Sequence, residues 1–177
     1  MNNIMLDLET FATGENAVIV SIGAVYFGPD VIGDQFYITI DPASCTQYGM
    51  EMNPKTIQWW LTQSEKARIE VATKGVPVEE ALISFIDFYN LTGKTPNIWG
   101  NGVGFDNIIL RNAYTKTGIP CPWSYKQDMD YRTLKIMNSD IEIERQGIEH
   151  NAVDDAKSQA EHLIKILNKV GWGEING

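Results

Sequence analysis

Hydrophobic positions in the first third of the chain follow the pattern of β-strands. Glycine and proline residues at positions 14, 28 and 29 divide this region into apolar runs rich in Val, Ile, Tyr and Phe. The predicted strands comprise residues 3–8, 17–27 and about 34–40. Because short turns join these runs, we expect an antiparallel meander.

The remaining two thirds of the chain are mainly of helical pattern. Asn53-Pro54 is typical of a helix start, and the helical pattern continues through Ser64 and over residues 78–90. A short strand is predicted at 96–99. Further helices are predicted at about 105–116 and at 152–170, the last of them ended by Gly171. Strands followed by alternating helix and strand indicate an α/β domain with a mixed sheet.

Two acidic residues, Asp7 and Glu9, stand at the end of the first apolar strand, in the run Ile-Met-Leu-Asp-Leu-Glu-Thr. Side chains two residues apart in a strand point to the same face, so both carboxylates leave a central, buried backbone in the same direction. Two like charges there require a counter-charge, because desolvation and mutual repulsion otherwise keep at least one carboxyl group neutral. The pair therefore predicts a divalent metal site.

A third acid, Asp106, follows the glycine-rich segment 100–104 and begins a predicted helix. At 100° per residue it falls within the apolar stripe of that helix. The stripe includes Ile109, Leu110 and Ala113. An acid among core positions is either a functional carboxylate or a capping residue that accepts backbone N–H groups. The glycine-rich segment lacks the full dinucleotide-binding pattern and is weak evidence for a nucleotide cradle.

The last helix opens with His150-Asn-Ala-Val-Asp-Asp-Ala, which contains two adjacent aspartates. Asp154 shares a ridge with polar residues, whereas Asp155 lies at the margin of the apolar face and can reach the interior. Periodicity therefore favours Asp155 as functional and Asp154 as solvated. His150 is either a surface or capping residue or faces the same place as Asp155. The predicted apolar face comprises Val153, Ala156, Ala160, Leu163, Ile164, Leu167 and Val170.

Length and composition fit one soluble domain that spans residues 1–177, with 44% hydrophobic residues and no linker or repeat. The first residues lack a basic region and a long apolar run, so we expect neither a signal peptide nor a membrane span. Cys45 and Cys121 lack metal-ligand spacing, which is typical of unpaired thiols in a reducing compartment. These features together predict a cytoplasmic protein.

The net charge of −9 disfavours broad binding of nucleic acid by a basic patch, because such binding depends on Lys and Arg. The objection is weaker if the acids are concentrated at a metal site, since bound cations supply local positive charge for a phosphate. A small site that binds one chain end through metal ions is compatible with the composition.

The acidic elements and the histidine together resemble, in order and spacing, the DEDDh 3′ to 5′ exonucleases of the ribonuclease H-like superfamily. Within it, the chain is most similar to the RNase AS-type exoribonucleases and their phage-encoded relatives. The resemblance spans nearly the whole chain. It rests on Met-Leu-Asp-Leu-Glu-Thr, Ile-Val-Ser-Ile-Gly-Ala-Val, Thr-Ile-Gln-Trp-Trp-Leu, Trp-Gly-Asn-Gly-x-x-Phe-Asp-Asn and His-Asn-Ala-x-Asp-Asp-Ala. It implies a ribonuclease H-like α/β fold, a five-stranded mixed sheet flanked by helices.

The resemblance also implies a catalytic constellation. Two Mg²⁺ ions, for which Mn²⁺ can substitute, would be held by four carboxylates, with His150 as the general base. The implied metal ligands are Asp7, Glu9, Asp106 and Asp155. Carboxylate oxygens suit these ions, and the lack of a Cys/His cluster argues against zinc. The expected reaction releases nucleoside 5′-monophosphates from the 3′ end of single-stranded nucleic acid. A homodimer is also implied.

The residues expected to contact the substrate are less sharply defined. By resemblance, Thr10 and Phe11 line the pocket of the terminal nucleotide. Arg132 is either a phosphate contact or an exposed arginine that pairs with Asp128 or Asp130.

Three tryptophans, Trp59, Trp60 and Trp99, either provide stacking surfaces for bases or pack in the core. Trp60 shares helical spacing with Ile57 and Leu61, which favours a core position for it. The spacing does not decide between the two interpretations for Trp59.

Several functions stay open on the sequence alone. RNA and DNA differ at the 2′-hydroxyl, and no residue type by itself identifies a contact to that group. The resemblance favours RNA, and an exodeoxyribonuclease of the same family is the alternative. A non-catalytic nucleic-acid-binding module is disfavoured by the complete set of acids, which are costly to keep buried without a metal. An endonuclease of the same superfamily is disfavoured by the histidine.

Overall fold

A five-stranded mixed sheet forms the centre of the structure, a computed structural model that describes residues 1–145 and 147–172. The strands are β1 (Asn3–Thr10), β2 (Ile19–Gly28), β3 (Val31–Thr39), β4 (Asn97–Gly100) and β5 (Asp128–Asp130). They lie in the order β3-β2-β1-β4-β5. The first three strands are antiparallel neighbours, and β4 and β5 extend the sheet in parallel to β1. The predicted meander and mixed sheet are confirmed.

Seven α-helices flank the sheet in the part of the chain that the structure describes. They are α1 (Pro42–Gln47), α2 (Pro54–Leu61), α3 (Glu65–Ala72), α4 (Val78–Tyr89), α5 (Asp106–Thr117), α6 (Tyr131–Met137) and α7 (Ala152–Val170). The predicted bounds of α4, α5 and α7 agree with the structure to within one residue. Helix α1 and strand β5 were not predicted from the residue pattern, because six and three residues are too few to show a period.

The alternation of side chains along β1 divides the core into two layers. Ile4, Leu6 and Leu8 belong to the cluster that packs against α4 and α5. Met5 faces the other way and belongs to the cluster formed with α7. Since side chains two residues apart share a face, Asp7 and Glu9 continue the row of Met5 toward α7. The central strand therefore directs both acids to the side that α7 covers.

Gly23 allows the first turn of α7 to lie directly on the sheet. This residue pairs with Asp7 across the β1–β2 ladder. A Cβ at Gly23 would overlap backbone atoms of Ala152 and Val153. The absence of a side chain thus lets the start of α7 approach β2 beside Asp7, which brings the segment containing Asp155 to the acids of β1.

The long helix α7 differs from the predicted helix at three positions of its apolar face, one of which is Val153, which is only half-buried. Val170 is 54% exposed, because it lies in the last turn beyond the edge of the sheet-facing cluster. Ile164 is only half-buried. His162, predicted at the margin of that face, is buried, and its ring nitrogens contact the Tyr131 hydroxyl at 2.7 Å and the carbonyl of Ile141 at 2.8 Å.

Trp99 is a core residue and offers no stacking surface. It is 2% exposed, and its indole N–H donates to Asn3 Oδ1 at 2.9 Å. The interpretation of this tryptophan as a base-stacking residue is therefore wrong.

Both cysteines are unpaired, as expected. Within the described ranges, no helix combines the length and the apolar character needed to cross a membrane.

Replacing Gly23 by alanine should destabilise the protein, because the new methyl group overlaps the backbone of α7. We expect the free energy of unfolding to fall by about 3 kcal/mol, the upper end for overpacking. Urea unfolding followed by circular dichroism measures this change. Gly14→Ala is the control, since a Cβ there meets no atom within 4 Å. Equal stability of the two variants would contradict the packing of α7 on Gly23.

Candidate active site

Asp7 and Glu9 lie on the wall of a cavity of about 230 Å³, here called the acid cavity. The other lining residues are Leu8, Asn101, Phe105, Asp106, Arg132, Arg145, His150, Asp155 and Gln159. Glu9 is 8% exposed, and its carboxylate makes no hydrogen bond or ion pair with any residue that the structure describes. Asp7 accepts a hydrogen bond at Oδ1 from the amide Nε2 of Gln159 at 2.7 Å. One of the two acids thus has a fixed orientation, and the other lacks a protein partner.

Asp106 enters the acid cavity from the first residue of α5 and is 3% exposed. Its Oδ1 accepts the N–H of Leu8, and its Oδ2 accepts the N–H of Asn101, both at 3.1 Å. Strand β4 ends opposite Leu6, so the Asp106 carboxylate bonds the β1 backbone just beyond the end of that ladder. These hydrogen bonds fix the carboxylate against the central strand. They go to β1 and to the loop after β4, so the carboxylate joins the start of α5 to the central strand.

Asp155 reaches the acid cavity from the first turn of α7. Its Oδ2 accepts the backbone N–H of His150 at 2.9 Å, and its Oδ1 lies 3.4 Å from Nη1 of Arg145. The helical periodicity that favoured Asp155 over Asp154 agrees with this placement, because Asp154 does not line the cavity.

Asp154 is not simply solvated, and this prediction is wrong. The residue is half-buried, and its Oδ2 accepts the backbone N–H of Ile148 at 2.8 Å. A Cβ at Gly147 would overlap the same carboxylate, so the loop before α7 passes close over it. Asp154 therefore holds the loop that carries His150. A helical projection could not show this contact, because the loop has no period.

His150 has a left-handed backbone conformation, with φ of 65°, which no other non-glycine residue in the described ranges adopts. Such a conformation is strained for a histidine and persists only where its surroundings impose it. The hydrogen bond to Asp155 and packing against two tryptophans supply those constraints. Glu9, His150 and Asp155 each bring one potential ligand atom within 4.8 Å of the others. The structure thus brings the histidine to the acids.

Burial raises the pKa of all four acids, and repulsion from neighbouring acids adds to this effect at Asp7 and Glu9. Burial raises the pKa of Glu9 to about 8, with additional repulsion from Asp155 and Asp106. Burial likewise raises the pKa of Asp106 to about 7, against the hydrogen bonds that it accepts. Asp7 has a pKa well above its usual range, first through burial and then through the charge of Asp106. Burial also raises the pKa of Asp155. Without a cation, the site therefore resists full ionisation.

Two arginines line the acid cavity. Arg145 contacts Asp155, as described above, and also lies 3.2 Å from Glu149. Arg132 donates from Nη2 to the carbonyl oxygen of Asn101 at 2.6 Å, which holds its guanidinium beside the loop after β4. Arg132 lines the acid cavity, and its contact with a substrate phosphate stays a prediction.

The alternative ion pair of Arg132 with Asp128 or Asp130 is not formed among the described residues, although the charge of Arg132 helps to lower the pKa of Asp130, after the hydrogen bonds from Val103 and Thr133. Asp128 forms its ion pair with Arg111, at 2.7 Å. Asp130 accepts the backbone N–H groups of Val103 and Thr133. Both aspartates are thus engaged elsewhere.

A second cavity of about 510 Å³ adjoins the first and shares Leu8, Glu9 and Phe105 with it. We call it the aromatic cavity. Its other lining residues are Thr10, Thr13, Asn53, Lys55, Thr56, Trp59 and Trp60. Its volume lies within the range of ligand pockets, and its apolar walls with a polar rim are typical of them. The structure therefore provides a space for an aromatic group next to the acids.

Only some of the residues predicted to contact the substrate line this cavity. Thr10 and Trp59 line it. Phe11 does not, because it packs against the core instead. Phe105 lines the cavity instead, and no residue pattern distinguishes it from Phe11.

Trp60 is 3% exposed, as predicted, and donates from its indole N–H to the carbonyl oxygen of Thr10 at 2.9 Å. The spacing behind that prediction is wrong, because Leu61, which was placed on the same face, is 67% exposed. Trp59 is 44% exposed. The two neighbouring tryptophans therefore differ in role, one being part of the core and the other accessible from the aromatic cavity.

Gln159 and Arg145 are site residues that the sequence did not single out. Gln159 shares a helical ridge with Asp155, and this spacing was the available signal. Arg145 lies in an irregular segment for which no period exists. Both residues contact candidate metal ligands, Gln159 on Asp7 and Arg145 on Asp155.

The residues of the acid cavity fit divalent metal ions with oxygen ligands. Four carboxylates converge there, and the buried carboxylate of Glu9 has no partner among the described residues. Hard cations such as Mg²⁺ and Mn²⁺ prefer this set of donors. Their charge would also offset the burial, and the repulsion at Asp7 and Glu9, that raise the pKa values of the acids.

Comparison with known protein families identifies the group to which this arrangement belongs. The model of the family described as the 3′-5′ exoribonuclease Rv2179c-like domain matches residues 2–167. The chain belongs to this family. The resemblance to DEDDh-type exonucleases is thereby confirmed.

A relative outside the family comparison points the same way. The exodeoxyribonuclease of Enterobacteria phage T4 is 28% identical over 125 residues, which cover 62% of this chain and 54% of the phage protein. The match thus spans about half the length of that relative.

Solved structures share the fold of this Rv2179c-like domain. The nuclease domain of 3′hExo, a DEDDh family member bound to rAMP, has a TM-score of 0.64 at 16% identity, with 94% of this chain and 91% of that chain covered. Pop2p of S. pombe, in its Mg²⁺ and Mn²⁺ bound form, has a TM-score of 0.62 at 16% identity and coverages of 95% and 83%. Exonuclease X in complex with 5′ overhanging duplex DNA has a TM-score of 0.61 at 16% identity and coverages of 98% and 99%. The ribonuclease H-like fold is confirmed.

Without metal ions, the stability of the Rv2179c-like domain should fall as pH rises. Glu9 binds a proton more tightly in the folded chain than at its ordinary pKa of 4.5, so its contribution is present below about pH 4.5 and is lost by about pH 8. Urea unfolding of EDTA-treated protein at pH 5, 6.5 and 8 measures this dependence.

Glu9→Gln should reduce this pH dependence, and Glu142→Gln, at an exposed position, should leave it unchanged. Adding Mg²⁺ at pH 8 should stabilise the wild type more than Glu9→Gln. If the wild type and Glu9→Gln lose the same stability between pH 5 and 8, Glu9 is not the titrating group.

Proposed function

We propose that the chain is a 3′ to 5′ exonuclease that uses two divalent metal ions and releases nucleoside 5′-monophosphates from single-stranded nucleic acid, with RNA preferred. The observation that carries this proposal is the convergence of four carboxylates and His150 on one cavity. Membership in a family described as 3′-5′ exoribonuclease supports hydrolysis from the 3′ end and RNA as the substrate.

The metal ligands in this proposal are Asp7, Glu9, Asp106 and Asp155. When bound, Mg²⁺ or Mn²⁺ lowers the pKa of the attacking water and stabilises the leaving 3′ oxygen. Gln159 orients Asp7 through its amide, and backbone N–H groups of Leu8 and Asn101 orient Asp106. Such supporting contacts fix the ligands before the substrate arrives.

His150 is the proposed general base. Its imidazole lies within reach of Glu9 and Asp155 and would accept the proton of the attacking water at a ring nitrogen. The hydrogen bond from the His150 backbone to Asp155 ties the base to one of the proposed metal ligands.

The aromatic cavity is proposed to hold the base and sugar of the terminal nucleotide. Trp59, Phe105 and Leu8 provide apolar surface there, and Thr10 lies on its wall. Arg132 and Arg145, on the acid cavity, would contact backbone phosphates. The positive charge is local, which is compatible with the net charge of −9.

An exodeoxyribonuclease is the second candidate. The relative from Enterobacteria phage T4 carries that description, at 28% identity over about half of its length. We also propose that residues 1–177 form a single exonuclease domain, because both core layers pack on one sheet. The homodimer and the cytoplasmic location stay predictions.

Asp155→Asn should lower the rate of Mg²⁺-dependent release of mononucleotides by about 100-fold or more, because it removes a proposed metal ligand. Asp154→Asn is the matched control. The asparagine oxygen can still accept the N–H of Ile148, so the loop before α7 should stay in place and most activity should remain. Release of mononucleotides from a 5′-labelled oligomer measures both. Equal losses at the two positions would overturn the assignment of Asp155, and full activity of Asp155→Asn would favour a different metal site.

Matched RNA and DNA oligomers, labelled at the 5′ end, should both shorten stepwise from the 3′ end, with RNA degraded faster. Reactions with Mg²⁺, with Mn²⁺ and with EDTA test the metal requirement. A circular single strand should stay intact, because an exonuclease requires an end. Cutting of the circle would indicate an endonuclease, binding without cleavage a non-catalytic module, and faster digestion of DNA the second candidate.

A further inference from the structure

Trp59 forms part of the boundary between the aromatic cavity and His150. It is 44% exposed and lines the aromatic cavity. Its ring also meets the imidazole of His150 edge-on, with centroids 5.0 Å apart and planes at 78°. One side chain thus touches both the space proposed for the terminal base and the proposed general base.

The ring of His150 is held mainly by aromatic packing. Its backbone is fixed by the hydrogen bond to Asp155 and by the left-handed conformation. Its imidazole packs against Trp59 and Trp60, the latter with centroids 5.8 Å apart. Trp60 is buried and hydrogen-bonded to Thr10, so it is a fixed wall. Trp59 is the partner of the imidazole that a ligand can reach.

We propose that Trp59 is a positioning residue, through which a nucleobase in the aromatic cavity holds the His150 ring in place. The inference rests on the proposed function, since it takes the cavity to bind the terminal nucleotide. A base packed on the exposed part of Trp59 restricts the indole, and the restricted indole in turn restricts the imidazole. The proton acceptor is then ordered when a nucleobase is present.

A simpler role for Trp59 is that of a stacking platform, which adds affinity and does not affect the histidine. The two roles differ in what they change. A platform lowers KM alone, whereas a positioning residue changes kcat and the environment of the His150 ring. The chain is well suited to this distinction, because it contains only two histidines. His162 is buried and hydrogen-bonded on both ring nitrogens, and it serves as the internal reference.

The direct test is the NMR spectrum of the two imidazoles in the Mg²⁺-loaded protein. The probes are adenosine 5′-monophosphate and ribose 5-phosphate, which differ by the base and contain no bond for the enzyme to cleave. The nucleotide should shift the ring signals of His150 and leave those of His162 unchanged. Ribose 5-phosphate, at equal occupancy, should shift His150 much less.

Variants at position 59 decide whether the tryptophan transmits this effect. In Trp59→Ala, the nucleotide and the sugar phosphate should shift His150 equally, whereas Trp59→Phe should keep part of the base-specific shift. Leu61→Ala, at a 67% exposed position of the same helix, is the control and should behave as wild type. A full base-specific shift in Trp59→Ala, or none in the wild type, would overturn the proposal.

Kinetics supply a second readout. On an oligomer with an ordinary 3′-terminal nucleotide, Trp59→Ala should lower kcat about 3- to 10-fold, as expected for loss of one aromatic contact. On the same oligomer with an abasic terminal residue, kcat should not change. A rise in KM with unchanged kcat would identify a stacking platform and reject positioning.

The two proposals can fail separately. Absence of nuclease activity rejects the proposed function. The shift of the His150 signals by the nucleotide still reports whether a base in the aromatic cavity affects the imidazole through Trp59. Nuclease activity without a base-specific shift rejects only the role of Trp59.

Discussion

The site depends on the contact between the first turn of α7 and the sheet at Gly23. This glycine is the cross-strand partner of Asp7, and any larger residue would collide with the α7 backbone. The close approach places Asp155 and the preceding His150 over the face of β1 that carries Asp7 and Glu9. These two segments thereby share a cavity of about 230 Å³, which Asp106 also lines. A shift of α7 by the width of a methyl group would separate ligands that must act together.

Concentrating acids in this way has an electrostatic cost, and the structure shows what offsets it. Asp106 is held by two backbone N–H groups, Asp7 by the amide of Gln159, and Asp155 by a backbone N–H and the nearby Arg145. Glu9 has none of these supports among the described residues, and its pKa is raised to about 8. The protein contributes enough donors to orient the carboxylates but too few to neutralise them. This imbalance favours binding of cations over a purely structural role for the cluster.

The aromatic residues define the shape of the site beside the acids. Trp60, tied to the backbone of Thr10, fixes one wall, and the exposed Trp59 lies between the aromatic cavity and His150. The strained conformation of His150 is maintained by the hydrogen bond to Asp155 and by these rings. Strain held by its surroundings at a polar cavity is typical of functional sites, since it fixes a side chain that would otherwise move.

The sequence by itself determined the strand meander, the bounds of the long helices and the positions of the acids, because alternation in β1 and helical periodicity in α5 and α7 are local properties. It could not determine that Asp154 holds the loop before α7, that Gln159 orients Asp7, or that Phe105 rather than Phe11 lines the cavity. Each of these depends on a contact between segments without a common period, such as Gln159 and Asp7, which are 152 residues apart. Only the tertiary structure decided them, because the packing of the folded backbone determines which side chain fills each space.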